Sequence, residues 1–413
     1  MTLRPRGLAA LFVVSLALAG AGCSPTSPTV EGPKAPRITG WLHTAGTRIV
    51  DAAGRPVRFQ GIDIASMARG VGSPGDAGLA LTGCRGWDVP PPSLLRDVAT
   101  WGFNSVRLAI SWANLEPNPP TAGPTGPEHH YDQAYLSAID GVVETLGAEG
   151  VAVIVEMAQA QWSPAFTNVP TFHGPKCAGV GMPRWLYPNP GSITQTQARL
   201  DFFADRDGVQ QGYLDAWTQI AGRYADDPTV VAFDLFNEPY TQGGFVPSRM
   251  HLGAFYGRIG VTIRAVNPRA LMIFQDSNYS PDGTYALSAA PAFPGAVYEL
   301  HLYVGSWATQ GLPRLEAYWR RASAWNVPLY VGEYDAFGYS SPFAFAPTWR
   351  SDLSSMFAYC DARSIGWNLF TASPGWFLEP GGSEPKPNLL PALQEDFTPP
   401  SPAPAASPGS PSP

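Results

Sequence analysis

Eight short apolar runs, most of them followed by an amphipathic stretch, limit what this chain can become. The runs lie at 57–64, 103–110, 151–157, 230–236, 271–274, 296–302, 328–332 and 364–369. Amphipathic stretches fall at 93–101, 135–147, 211–224, 252–266, 312–324 and 347–363. A strand followed by a helix and another strand pairs in parallel, because the crossover brings the chain back to the same end of the sheet. Eight such strands predict an α/β chain folded as one (β/α)8 TIM barrel over residues 37–397, entered through a hairpin-like segment at 38–51. No internal repeat competes with this pattern.

The two ends lie outside that pattern. Residues 1–23 carry Arg4 and Arg6 and then an apolar stretch at 8–19, a signal-peptide layout too short in its apolar part to span a membrane. The segment closes on Ala19-Gly20-Ala21-Gly22-Cys23-Ser24, which resembles a bacterial lipoprotein signal, with Gly20 where that motif usually has Leu. The resemblance implies a lipidated Cys23 at the mature N-terminus and attachment to a membrane. Cleavage after Ala19-Gly20-Ala21 would instead release a soluble chain. Either way the protein is expected to be exported, as a cell-envelope lipoprotein or a secreted protein. Residues 24–36 form a Pro/Ser/Thr-rich tether and 398–413 a Pro/Ser/Ala-rich tail, neither with enough apolar surface to fold. Cys84 and Cys177 both sit in Gly-rich loops and make a plausible disulfide in an exported chain, whereas Cys360 reads as a buried free thiol.

With 26 Lys and Arg against 33 Asp and Glu, the net charge is −7, without the basic footprint of a nucleic-acid partner. The 13 Trp, 16 Tyr and 20 Phe supply stacking surface for flat ligands. No Cys-x-x-Cys and only six His are present, so no metal site and no cofactor is expected. The segment from Gly70 to Gly75 matches a dinucleotide fingerprint by chance, in a Pro-containing loop with no helix after it. His129 and His130 read as a solvated loop pair, and no Gly-x-Ser-x-Gly elbow offers an esterase nucleophile.

In a parallel barrel, chemistry gathers where the strands end. The polar residues at those ends are Asp63, Arg107, Glu156, Asn237 with Glu238, Gln275 with Asp276, His301 with Tyr303, Glu333, and Trp367 with Asn368. Such groups cost desolvation inside a barrel unless they are paired. Asp63, Glu156 and Asp276 read as structural hydrogen-bonders, and Arg107 alone suits a core ion pair as well as a site. Glu238 and Glu333 weigh more. They close the fourth and seventh strands, which face each other across the mouth, and two opposed carboxylates can hydrolyse a glycosidic bond.

Asn237-Glu238-Pro239, His301-Leu302-Tyr303, Glu333 and the run from Val106 to Pro117 containing Arg107 resemble glycoside hydrolase family 5 in order and spacing, from about residue 42 to 370. The resemblance implies a retaining O-glycosyl hydrolase acting by two displacements. Glu238 would be the acid/base and Glu333 the nucleophile, kept ionised by Arg107. Asn237 would bind the sugar 2-hydroxyl, His301 would orient the acid/base or the sugar, Tyr303 would hydrogen-bond the nucleophile, and Trp367 would floor the −1 subsite.

One position departs from the family: Ala158 stands where the third strand usually ends in a His that touches the −1 sugar. That substitution raises a second reading, a glycan-binding barrel with weakened turnover. The substrate expected first is a β-glucan or β-mannan type polysaccharide cleaved by a monomer. The runner-up is an endoglycosylceramidase-like glycolipid hydrolase, which the stretch from Ser111 to Tyr135 resembles. Trp87, Trp162, Trp185 and Tyr187, on two long loops, are candidates for further sugar subsites.

Overall fold

The computed structural model describes residues 32–68, 87–124, 126–159, 162–166, 181–239, 251–276, 285–339 and 347–397. The signal segment with Cys23, most of the tether, the tail, and Cys84 and Cys177 lie outside these residues. Eight parallel strands close into a barrel in chain order. They are β1 (Gln60–Ile64), β2 (Ser105–Ile110), β3 (Ala152–Met157), β4 (Val230–Asp234), β5 (Leu271–Gln275), β6 (Ala296–Leu302), β7 (Leu329–Tyr334) and β8 (Gly366–Leu369). The helices packed between them include α1 (Pro92–Thr100), α2 (Gln133–Ala148), α3 (Gln210–Arg223), α4 (Leu252–Val266), α5 (Leu312–Trp325) and α6 (Trp349–Asp361), with shorter ones at Trp112–Leu115 and Gln195–Phe203. Among the described residues, no helix joins β5 to β6.

Local chemistry sets the element ends. Asp132 caps α2, its carboxylate accepting from the N–H groups of Ala134 and Tyr135 at 2.8 and 3.0 Å. The entry hairpin is a three-stranded antiparallel sheet, His43–Ala45, Arg48–Val50 and Pro56–Val57. Ile38, Leu42 and Ile49 from this segment pack with Phe59, Ala152, Ile154, Ala232, Ile273, Val297 and Tyr330, closing the N-terminal end of the barrel. The larger core lies between sheet and helices, where α6 contributes Met356, Phe357 and the free, buried Cys360.

The alternation of strand side chains decides what faces the barrel interior. In β7 it is broken: Leu300 pairs with Val331 but His301 pairs with Glu333, so Gly332 is skipped in the ladder with β6. The ladder with β8 slips over the same stretch. A bulge of this kind re-aims the residue that follows. Tyr330 packs inside the barrel, and the extra residue brings Glu333 to the inner face and leaves Tyr334 against Trp367 outside.

Candidate active site

The barrel interior above Tyr330 and Ile154 is polar and is organised around Arg107 of β2, which is fully buried. Its Nε and Nη2 donate to Asp234 Oδ2 at 2.9 and 2.6 Å. Nη1 reaches Glu333 Oε1 at 2.8 Å, Glu156 Oε2 at 3.0 Å and Asp63 Oδ2 at 3.5 Å, while Glu299 Oε1 lies 3.5 Å from Nε. Burial works against the charge on Arg107, but Glu156, Asp234, Glu299 and Glu333 outweigh it and hold the guanidinium charged.

Five carboxylates around one guanidinium leave excess negative charge, which protons must partly neutralise. Burial pushes Asp63 and Asp234 well above the ordinary carboxylate range in spite of Arg107. Burial likewise pushes Glu156 up to about 7. Glu299 goes the other way: burial alone would raise it, but Arg107 and the Gln275 amide help bring it below the usual value.

Glu333 and Glu238 stand at the top of this layer in different surroundings. Glu333 takes Arg107 on one oxygen and, on the other, the Tyr303 hydroxyl at 2.5 Å. Glu238, more open at 14% side-chain exposure, has His301 Nδ1 2.8 Å from its Oε1. Its backbone has φ +43°, in the left-handed region that residues with a Cβ rarely adopt, and its N–H donates to Gln275 Oε1 at 2.9 Å. An oxygen of each carboxylate and a ring nitrogen of His301 lie within 4.8 Å of one another. Three such groups could ligate a cation, but Arg107 and Tyr303 already occupy Glu333. The Asn237 Oδ1 accepts from Arg107 Nη2 at 3.0 Å, which turns the amide so that its Nδ2 donors are what it can offer a ligand.

Trp367 does not join this group. It lies mid-strand in β8 between the inward positions Gly366 and Asn368, so it points out of the barrel. There it is fully buried, stacked on Phe357 and Phe397, with its indole N–H donated to Asp396 at 2.8 Å. The assignment of Trp367 to a sugar floor is therefore corrected. Among the described residues, Phe370 and Trp376 stand near the mouth and meet edge to face at 5.0 Å beside Ala65, Ala68, Ala109 and Ala158, with Tyr303 packed against them.

Two loop expectations also change. Trp162 and Tyr187 are buried and bonded to each other at 2.9 Å, so they pack the loop rather than face a groove. His129 is not a solvated loop residue, because it bridges Glu116 at 2.7 Å and Asp215 at 3.1 Å and ties the segment before α2 to α3. Trp87 and Trp185 are half-buried against Tyr135 and Trp112. Asp276 is the structural hydrogen-bonder expected, accepting from the N–H groups of Ala286 and Leu287 and from Arg321.

Asp234 and Glu299 were not among the strand-end residues that the sequence singled out. Glu299 lies two residues before His301, on the same face of β6, and Asp234 is the one charged residue in an otherwise apolar strand. Both signals were available.

A family model described as Cellulase (glycosyl hydrolase family 5) matches residues 50–375. The chain belongs to glycosyl hydrolase family 5. Like its relatives, this family 5 protein is an O-glycosyl hydrolase, and the retaining mechanism is general to the family. It is 26% identical over 378 residues to Endoglycoceramidase I of Rhodococcus hoagii (strain 103S), covering 82% of this chain and 69% of that one. It is 23% identical over 255 residues to an endoglucanase of Paenibacillus polymyxa, covering 60% of this chain and 52% of that one. Among solved structures, an endogalactoceramidase superposes with a TM-score of 0.66 at 22% identity, covering 87% of this chain and 84% of that one. That last likeness is one of fold.

Proposed function

We propose that the protein is a retaining β-glycosidase in which Glu333 is the nucleophile and Glu238 the acid/base. The observation that carries this reading is the unequal setting of two carboxylates whose oxygens lie within 4.8 Å of each other. A retaining pair stands roughly 5–5.5 Å apart, too close for the water that an inverting enzyme places between them. Arg107 and Tyr303 both donate to Glu333 and favour its anion, as a nucleophile needs.

In the first step a Glu333 oxygen attacks the anomeric carbon while Glu238 protonates the departing glycosidic oxygen. The bond to the aglycone breaks and a glycosyl ester forms on Glu333. In the second step Glu238, now a carboxylate, takes a proton from water, whose oxygen displaces Glu333 and restores the starting configuration. Asn237 holds the 2-hydroxyl through Nδ2, a contact that strengthens as the ring flattens. Tyr303 and Arg107 receive the Glu333 carboxylate as it leaves.

For the substrate, the comparisons favour a β-glycosidic bond between an oligosaccharide and a lipid alcohol. The endoglycoceramidase likeness runs over 82% of the chain against 60% for the endoglucanase. A lipidated Cys23 would hold the enzyme at a membrane surface, where such substrates lie. The polysaccharide reading is second, supported by the endoglucanase likeness. Glycosphingolipids, β-glucan and β-mannan, with products sized, separate the two: release of intact ceramide supports the first and polysaccharide shortening the second. No turnover on any of them would leave the weakened glycan-binding barrel.

The roles are tested by how each carboxylate fails. In Glu238→Ala, an aryl glycoside with a good leaving group should react far better than a natural glycoside. The covalent ester should then accumulate in a burst, relieved by azide to give a glycosyl azide of retained configuration. In Glu333→Ala every substrate should stall, and azide should give product of inverted configuration. If both variants respond alike, the roles are wrong.

A further inference from the structure

Gln275, the last residue of β5, has no role in the mechanism above, yet each polar atom of its buried amide faces the site. Oε1 accepts from the Glu238 N–H at 2.9 Å. Nε2 donates to Glu299 Oε2 at 2.7 Å and stands 2.9 Å from His301 Nε2. The amide cannot be turned over. Reversed, it would set its oxygen against the Glu299 carboxylate and its NH2 against the Glu238 N–H, exchanging two good contacts for two repulsive ones. The second N–H of Gln275 therefore points at His301 Nε2, which must meet it with a lone pair. The ring proton is then on Nδ1, 2.8 Å from Glu238 Oε1.

We propose that Gln275 is a positioning residue that holds His301 as a neutral imidazole with its proton on Nδ1, and so keeps Glu238 able to carry the proton it delivers. This rests on the acid/base role proposed for Glu238.

The charges around His301 explain why such a device is needed. Glu238 and Glu333 face Nδ1 at 2.8 and 3.4 Å, and Glu299 faces Nε2 at 3.5 Å. Asp63 and Glu156 lie close enough to act on the ring, and Arg107 sits amid the same carboxylates. Burial disfavours an imidazolium, but the carboxylates together favour it. An imidazolium beside Glu238 would stabilise its anion, and the proton donor would be lost at lower pH. Gln275 blocks this by presenting N–H where an imidazolium would also present N–H, a clash that costs a buried hydrogen bond. The same side chain supports the left-handed backbone at Glu238 through Oε1.

The test uses the full chain with nitrogen-15-labelled histidine and two variants, the His301 resonance being assigned by its loss in His301→Asn. Gln275→Leu removes the amide. Gln275→Met removes it too while keeping the length of the side chain, and serves alone if the Leu variant does not fold. At pH 7 the native protein should show a neutral His301 protonated on Nδ1, and both variants an imidazolium. The alkaline limb of kcat/KM should move down by about one pH unit or more in the variants, the shift that one opposite charge at this range produces. An imidazolium in the native protein, or an unchanged ring in both variants, overturns the proposal. A changed ring with an unmoved alkaline limb also overturns it. If the azide pattern of the Glu238 and Glu333 variants still holds, the failure then lies with Gln275 and not with the acid/base reading.

Discussion

Gly332→Ala should be among the most damaging one-methyl changes in this barrel. Gly332 is the residue skipped in the β6–β7 ladder, directly before Glu333. A Cβ there would land on Glu299 Oε1 and stand 2.5 Å from its Cδ and 3.0 Å from its Cγ. Glu299 has little room to yield, being fully buried and held by Gln275 at 2.7 Å with Arg107 and His301 each 3.5 Å away. Displacing a buried carboxylate from its partners costs about 3–5 kcal/mol. Over residues 32–397 a per-residue unfolding entropy of about 2 cal/mol/K gives roughly 0.8 kcal/mol per degree, so Tm should fall by about 4–6 °C. Activity should fall further, on the order of a hundredfold, because a shift of about 1 Å in Glu333 is enough for that.

The cause can be isolated, since the three nearest atoms all belong to the Glu299 side chain. Glu299→Ala removes them, and in that background Gly332→Ala should cost less than about 1 kcal/mol. Thermal melts of the two single variants and the double variant form a cycle that reads the coupling directly. Equal losses from Gly332→Ala in both backgrounds would refute the clash, leaving backbone distortion of the bulge as the cause.

Trp367→Ala should lower stability by about 3–5 kcal/mol by opening a cavity beside Phe357 and Phe397, with KM of the folded enzyme unchanged. Trp376→Ala should raise KM, and the reverse pattern in melts and kinetics would return Trp367 to the sugar site. Ala158→His places an imidazole among the alanines near Trp376; the variant should fold and change kcat/KM by no more than about tenfold, roughly 1.4 kcal/mol in the barrier. Loss of folding would contradict the placement of Ala158 with these alanines just after β3. Cys23→Ala should move the protein from the membrane fraction to the soluble exported fraction, and a native chain already soluble would exclude lipid attachment.

Much of this molecule could be read from period and punctuation. The β6 run at 296–302 and the helix at 252–266 coincide with the observed elements because apolar spacing alone defines them. Arg107, Glu238, His301, Tyr303 and Glu333 were visible as polar residues interrupting or ending apolar strands, where burial has to be compensated. Trp367 misled because an aromatic suits either face of a strand, and only the inward position of Asn368 beside it settles which. The bulge at Gly332 could not be read, since skipping a residue is a property of two neighbouring ladders. Without it, strict alternation from Tyr330 would turn Glu333 outward. Partners far apart in sequence, such as His129 with Asp215, are equally invisible to local pattern.

The excess of buried carboxylates carries a consequence for pH that the active-site geometry alone does not. Burial holds Glu156 protonated up to about 7, above the ordinary value of 4.5, with Arg107 opposing and Glu333 and Glu299 reinforcing the shift. A group whose value is raised on folding binds its proton more tightly in the native state. Its contribution to stability is therefore complete below the unfolded value and is lost as pH rises from about 4.5 toward 7. At about 1.4 kcal/mol per unit, the loss across that window is on the order of 3 kcal/mol. Glu156→Gln keeps the shape without the titration, so its stability should vary less between pH 5 and 7 than that of the native protein. Denaturant unfolding of both proteins at half-unit pH steps reads the difference in slope. Parallel curves would mean that Arg107, 3.0 Å away, keeps Glu156 ionised throughout, and the excess protons would then have to sit on Asp63 and Asp234 alone.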